Sequence, residues 1–204
     1  MKKGAVILCG GKSSRMGRDK ATLPFGSELM LQRIVRILGQ VVDPASMVIV
    51  AAAEQELPEF PSIVQVARDE RPDRGPLEGL AAGLRSLPSN IDAIYATSCD
   101  APLLSPDFVT MMFDQLGDHS IAVPFDGKFH HPLAAVYRPR VLSAVLSLLD
   151  SNRLGLRWLF KEVSTKEVPV EQLRMVDPKL ETLLNLNDPN DYEAALAIAT
   201  EPQK

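Results

Sequence analysis

Residues 4–20 read Gly4-Ala5-Val6-Ile7-Leu8-Cys9-Gly10-Gly11-Lys12-Ser13-Ser14-Arg15-Met16-Gly17-Arg18-Asp19-Lys20, a short apolar run that empties into glycines, hydroxyls and cations. Four apolar residues bounded by glycine suit a buried strand. The segment after Leu8 suits an anion: Gly10, Gly11 and Gly17 admit backbone angles closed to other residues, so successive N–H groups can turn toward one phosphate. Lys12, Arg15, Arg18 and Lys20 add positive charge. Spacing excludes two commoner glycine motifs. Gly11-Lys12-Ser13 resembles the end of a Walker loop, but the first glycine of that motif would fall on Val6; no triple among Gly4, Gly10, Gly11, Gly17 and Gly26 fits the dinucleotide fingerprint. The competing reading is a glycine-rich surface turn whose charges are solvated.

The pattern of strand followed by helix continues outward from this stretch. The spacing predicts strands over 47–52, 63–66, 93–97, 121–123, 133–137, 167–170 and 182–186. Helices are expected near 28–39, 77–87, 139–149 and 153–161. Ser105-Pro106 and Asp188-Pro189 each open a further helix, with Asp191 placed to cap back onto the second. Such alternation implies an α/β, Rossmann-like fold: a mostly parallel twisted sheet with helices on both faces. The chain of 204 residues, 46% of them hydrophobic, is read as one domain over 1–204. Its nucleotide-binding part is expected over about 1–115 and its acceptor-substrate part over about 116–204.

Composition narrows the function. A net charge of −4, from 22 basic and 26 acidic residues, argues against a broad nucleic-acid-binding face. No run approaches the ~18 apolar residues of a membrane span, and a cytoplasmic protein is expected. Two cysteines, Cys9 and Cys99, are too few for a disulfide framework or a zinc set and read as reduced thiols.

Ligands of open α/β sheets bind beyond the carboxyl ends of the strands. The glycine loop, Asp69, Asp100 and the Asn185/Asn187 pair each come after an expected strand, so they converge on one edge. Singly, Asp100 reads equally well as a turn residue and Asp69 as a solvated loop residue. Gly79 and Gly83 inside one helix are costly, and close approach of a flat ligand would explain them. His130-His131 receives no ligand role, because neighbours in a strand point to opposite faces. A nucleoside triphosphate brings magnesium, which takes one or two carboxylates plus phosphate oxygens and water, and Asp100 suits it. Arg15 and Lys20, with the loop amides, suit the charge that grows on departing pyrophosphate.

With these residues laid out, the chain resembles the molybdenum cofactor guanylyltransferases. Leu8 to Lys20 is similar to the family's Leu-Ala-Gly-Gly-x-Ser-x-Arg-Met-Gly-x-Asp-Lys. Asp69 with Gly75-Pro76-Leu77-Glu78-Gly79, then Cys99-Asp100-x-Pro102, and Asn185-x-Asn187-Asp188-Pro189 resemble three further blocks in the same order. The resemblance implies GMP transfer from GTP to molybdopterin cofactor, with pyrophosphate released and Mg2+ required. It implies that Leu8, Cys9, Gly10 and Gly11 line the nucleotide and that Lys20 meets phosphate. Asp69 would bind GTP, and Asp100 both nucleotide and metal. Gly75 and Gly79 would border guanine, and Asn185 and Asn187 the pterin. Transient partners are other proteins of cofactor synthesis and delivery; nucleic acid and membrane are not expected. Cys9 replaces the family's usual alanine, a small-for-small change that introduces an oxidisable thiol. The rival readings are cytidylyl transfer to molybdopterin, nucleotidyl transfer to a sugar or other phosphorylated metabolite, and a non-catalytic nucleotide or cofactor carrier.

Overall fold

Ala5, Val6 and Ile7 expose no surface at all, which puts their strand in the middle of the molecule. The structure, a computed structural model, describes residues 1–10, 19–69, 71 and 74–200. In chain order its elements are β1 (Lys3–Leu8), the small hairpin β2 (Pro24–Phe25) and β3 (Glu28–Leu29), α1 (Met30–Leu38), β4 (Met47–Ala52), β5 (Gln65–Asp69) and α2 (Gly75–Ser86). Next come β6 (Ala93–Ser98), α3 (Pro106–Gln115), β7 (Ile121–Phe125), β8 (Ala134–Tyr137), α4 (Leu142–Asp150), α5 (Leu159–Glu162), β9 (Thr165–Pro169), α6 (Val170–Leu173) and α7 (Pro189–Thr200).

One seven-stranded sheet runs β5-β4-β1-β6-β8-β7-β9. β1 pairs in parallel with β4 on one side and β6 on the other, in register from Lys3↔Ala93 to Leu8↔Ser98. Because side chains alternate along a strand, β1 feeds two cores. Ala5, Ile7 and Cys9 pack with Leu31, Ile34 and Leu38 of α1 and Phe108 and Met112 of α3. Val6 and Leu8 pack with Leu77, Leu80 and Leu84 of α2 and Val145 and Leu148 of α4. Helices therefore cover both faces, as the apolar periodicity implies.

β8 alone runs antiparallel to both its neighbours. The short connection over 126–133 explains this, since a parallel crossover needs a dozen or more residues. The expected strand at 182–186 does not form. Both oxygens of the buried Asp177 carboxylate accept backbone amides, Glu181 N–H at 3.0 Å and Thr182 N–H at 2.9 Å, and wind Glu181–Leu183 into a 3-10 turn. Over 153–161 the helix is broken: Gly155 is extended, a 3-10 turn spans Leu156–Trp158, and only α5 is α-helical. The caps obey local rules. Ser105 Oγ accepts Phe108 N–H, Asp188 Oδ1 accepts the amides of Asn190 and Asp191, and Asp191 Oδ2 accepts that of Asn187 at 2.8 Å.

Candidate active site at the switch point of the sheet

The chain leaves β1 toward β4 on one side, and β6 returns to β1 on the other. The sheet order therefore reverses between β1 and β6, the point beyond whose carboxyl ends ligands of such sheets bind. Leu8-Cys9-Gly10 leaves β1 at this point and Cys99-Asp100 leaves β6. Cys9 N–H donates to Val50 O (2.8 Å) and Cys99 N–H to Leu8 O (3.0 Å), so the sheet ladder persists to this point. Both thiols are buried on one face. A hydrogen bond to Cys99, then burial, pushes the Cys9 thiol well above its ordinary value. Gly11 and Arg15, with Lys12, Gly17 and Arg18, lie outside the described residues.

Asp100 is held from two sides. Lys20 Nζ donates to its Oδ2 at 2.7 Å, and Ser98 Oγ donates to its Oδ1. Lys20 begins a 3-10 turn, Lys20–Thr22, whose Ala21 amide is capped by Asp19 Oδ1 at 2.9 Å. The other Asp19 oxygen accepts Gln55 Nε2 at 2.7 Å, and the same amide reaches Cys9 O at 3.1 Å. Gln55 Oε1 accepts Ala52 N–H at 3.0 Å, and the Arg68 guanidinium bonds the carbonyls of Ala52 and Gln55. Gln55 thus ties both ends of the glycine loop to the end of β4. Its only signal in the sequence is its place after a parallel strand.

Asp69 ends β5, the edge strand on the β4 side. Three strand spacings separate β5 from β6, so Asp69 and Asp100 stand roughly 14 Å apart across the edge. That is too far to share one cation and suits two ends of one extended nucleotide. Burial raises the Asp69 carboxyl above its ordinary value and Glu78 adds to this, against the Arg71 amide, which donates to Asp69 Oδ1 at 3.0 Å. The Arg71 guanidinium binds buried Glu78 through two bonds of 3.0 and 2.8 Å, and Arg74 Nε lies 3.4 Å from the other Glu78 oxygen. Arg74 also donates to Leu149 O of α4, which ties the start of α2 to that helix.

The helix glycines have a simpler cause than a flat ligand. A Cβ on Gly83 would sit 2.4 Å from Val6 Cγ1, and one on Gly79 3.1 Å from Leu8 Cδ2. Close packing of α2 on β1 accounts for both, which corrects the ligand-approach expectation. Gly75 differs: it opens α2 at φ +69°, with nothing within 4 Å of an added Cβ.

Asn185 and Asn187 reach the site without a strand. Leu186 N–H donates to Asp100 O at 2.9 Å, and the Leu186 side chain is buried with Leu23, Phe25, Met30 and Ala195. The two asparagines flank this anchor, both exposed. Asn185 lines a cavity of about 180 Å³ with His130, His131, Thr182 and Leu183 among its walls. The cavity also touches Ala134, which pairs with Thr97 near the end of β6. It therefore lies on the β8 side of Asp100, opposite β1 and Asp69. The histidines bond separate carboxylates: His130 Nε2 meets Glu167 at 2.7 Å, its ring between Phe125 and Phe160, and His131 Nε2 meets Asp126 at 3.5 Å. Both line this wall, which corrects the expectation that they point to opposite faces of a strand: they precede β8, and His130 makes only an isolated bridge to Phe125. Among the described residues no three His, Cys, Asp or Glu side chains gather as a metal cage. The lone carboxylate of Asp100 instead suits a hard cation that takes its other ligands from phosphate and water.

A family model described as the MobA-like NTP transferase domain matches residues 5–168. A protein of Methanosarcina mazei named a probable molybdenum cofactor guanylyltransferase is 30% identical over 208 residues, covering 98% of this chain and 92% of its own length. One of the same name from Carboxydothermus hydrogenoformans is 33% identical over 198 residues, covering 95% of this chain and 94% of its own. Molybdopterin-guanine dinucleotide biosynthesis protein A of Archaeoglobus fulgidus shares the fold, with a TM-score of 0.80 at 18% identity over 99% of this chain and 100% of its own. A sheet reversing at β1/β6, a lysine–aspartate pair at that point and a family match across most of the sequence agree: the chain belongs to the MobA-like NTP transferase family and is a nucleotidyltransferase.

Proposed function

We propose that the protein transfers GMP from GTP to the phosphate of molybdenum–molybdopterin cofactor, giving the guanine dinucleotide form and pyrophosphate. The observation that carries this reading is the place of Asp100, between a loop side fit for a nucleotide and a cavity of mixed polar and apolar walls fit for part of a second substrate. The nucleotide lies along the ends of β1, β4 and β5, with Leu8, Cys9, Gly10 and Gly11 beneath it and Asp69 and Gly75 toward the nucleoside. The acceptor enters from the β8 side, met by Asn185, Asn187 and the cavity. These two halves correspond to the parts about 1–115 and 116–204.

An oxygen of the acceptor phosphate attacks the α-phosphorus; the bond to the bridging α–β oxygen breaks, and its electron pair leaves with pyrophosphate. Lys20 and Arg15 are the cations assigned to that growing charge. Bound at Asp100, Mg2+ would neutralise phosphate charge and align the two substrates. Ser98 orients the Asp100 carboxylate, and Gln55 fixes the loop that presents Lys20. No side chain need act as nucleophile, so alignment and charge neutralisation supply the catalysis. Other proteins of cofactor synthesis and delivery are the expected transient partners.

Pyrophosphate release from each of the four NTPs, with and without molybdopterin cofactor, tests this. Release that needs both GTP and the pterin is expected. Preference for CTP, or release indifferent to the pterin, overturns the named reaction.

A further inference from the structure

Each oxygen of the carboxylate assigned to the cation already accepts a hydrogen bond: Oδ2 accepts Lys20 Nζ at 2.7 Å and Oδ1 accepts Ser98 Oγ. The two charged side chains are only 18% and 17% exposed, so water screens their attraction incompletely. A divalent ion reaching Asp100 therefore meets a carboxylate already neutralised, and a like charge 2.7 Å from it. We propose that Lys20 occupies the metal carboxylate of Asp100 until a triphosphate draws it away, so that cation binding is conditional on nucleotide. The inference rests on the proposed reaction, in which Asp100 holds the cation and Lys20 meets phosphate.

The surroundings fix what moves. Asp19 and Gln55 hold the backbone of the Lys20 turn through the bonds at 2.9 and 2.7 Å, so the exchange falls to the lysine side chain. Its four-carbon stem and compact charge suit a swing between two anions. A triphosphate carries more charge than one carboxylate and wins the ammonium; the freed Asp100 then faces a cation that arrives with the same phosphates. Linkage makes the effect reciprocal: whatever removes Lys20 from Asp100 raises cation affinity there. The device keeps a cation from settling at Asp100 alone and commits it to the nucleotide.

Mn2+ is the probe, with free ion counted by electron paramagnetic resonance and no nucleotide present. Lys20→Met should bind Mn2+ on the order of tenfold more tightly than wild type, the weight of one hydrogen bond between charged groups. Lys20→Arg, which keeps the cation, should stay as weak as wild type, and Lys20→Met/Asp100→Asn should lose the gain. A folded Lys20→Met no tighter than wild type overturns the exchange and leaves the reaction untouched. A gain that survives Asp100→Asn instead removes the cation from Asp100 and overturns the underlying assignment. Should Lys20→Met not fold, lysine-15N resonance of the wild type decides. The Lys20 ammonium signal should move both on adding GTP in EDTA and in Asp100→Asn; movement with only one of the two overturns the exchange.

Discussion

Gly83→Ala sets helix propensity against packing, and the distances say that packing wins. Alanine in place of glycine inside α2 favours the helix by about 1 kcal/mol. The added Cβ would lie 2.4 Å from Val6 Cγ1, 2.9 Å from Val6 Cγ2 and 3.3 Å from Val50 Cγ2, where carbon atoms prefer 3.5–4.0 Å. Val6 is wholly buried and β-branched, and both its methyls crowd the new atom, so rotation about χ1 does not clear the clash. The helix must lift from the sheet, at the upper end of the overpacking range, about 3 kcal/mol. The net is a loss of about 2 kcal/mol, a fall in Tm of about 4–8 °C for a chain of this length. Urea unfolding should show a lower midpoint with an unchanged slope. In Gly83→Ala/Val6→Ala the new methyl fills the space that Val6 vacates, so the double variant should be more stable than the sum of the singles by about 2 kcal/mol. A Gly83→Ala protein as stable as wild type, or additive singles, refutes the packing account of this glycine.

Glu78→Ala should destabilise by about 2–3 kcal/mol in urea, below the full cost of breaking a buried pair because Arg71 and Arg74 retain some solvent; Glu78→Gln, which keeps the shape and removes only the charge, should also be destabilised, and a Gln variant as stable as wild type would count against the charge. Asp69→Asn has a signed pH dependence. Burial raises the Asp69 carboxyl, so its contribution to stability is full below the unfolded-state value and lost as pH rises through the folded one. The variant should match wild type in acid and exceed it at neutral pH, while binding GTP more weakly; a lower urea midpoint at pH 7 would contradict the shift. Gln55→Ala removes two bonds to the ends of the glycine loop, at Cys9 and Asp19, and one to Ala52 at the end of β4. KM for GTP should rise roughly tenfold, worth one to two hydrogen bonds, and an unchanged KM would free Gln55 of that role.

Features legible in the sequence and features hidden in it divide by range. β1, β6, the Ser105 cap and the Asp188/Asp191 box were legible because apolar runs and caps act over a few residues. The edge that gathers Asp69, Asp100 and the end of β1 was legible because parallel strands put like ends together. The Lys20–Asp100 pair joins residues 80 apart, and Gln55 reaches Cys9 across 46, so neither had a local pattern to betray it. The apolar run near residue 183 looked like a strand because the Asp177 carboxylate that winds it into a turn leaves no mark in its periodicity. Gly79 and Gly83 were ambiguous in principle: a glycine in a helix admits close approach by a ligand or by a strand, and only the atoms facing it decide.

The most direct test of guanylyl transfer at Asp100 tracks the α-phosphate itself. Wild type and Asp100→Asn are incubated with α-32P-labelled GTP, magnesium and molybdopterin cofactor, and label is traced to the pterin-bearing product, with circular dichroism verifying the fold of both. Label should enter that product in wild type and fall by at least about 100-fold in the variant, the scale of losing a group that stabilises transition-state charge. Label that never leaves GTP in wild type, or transfer undiminished in a folded Asp100→Asn, would contradict the assignment.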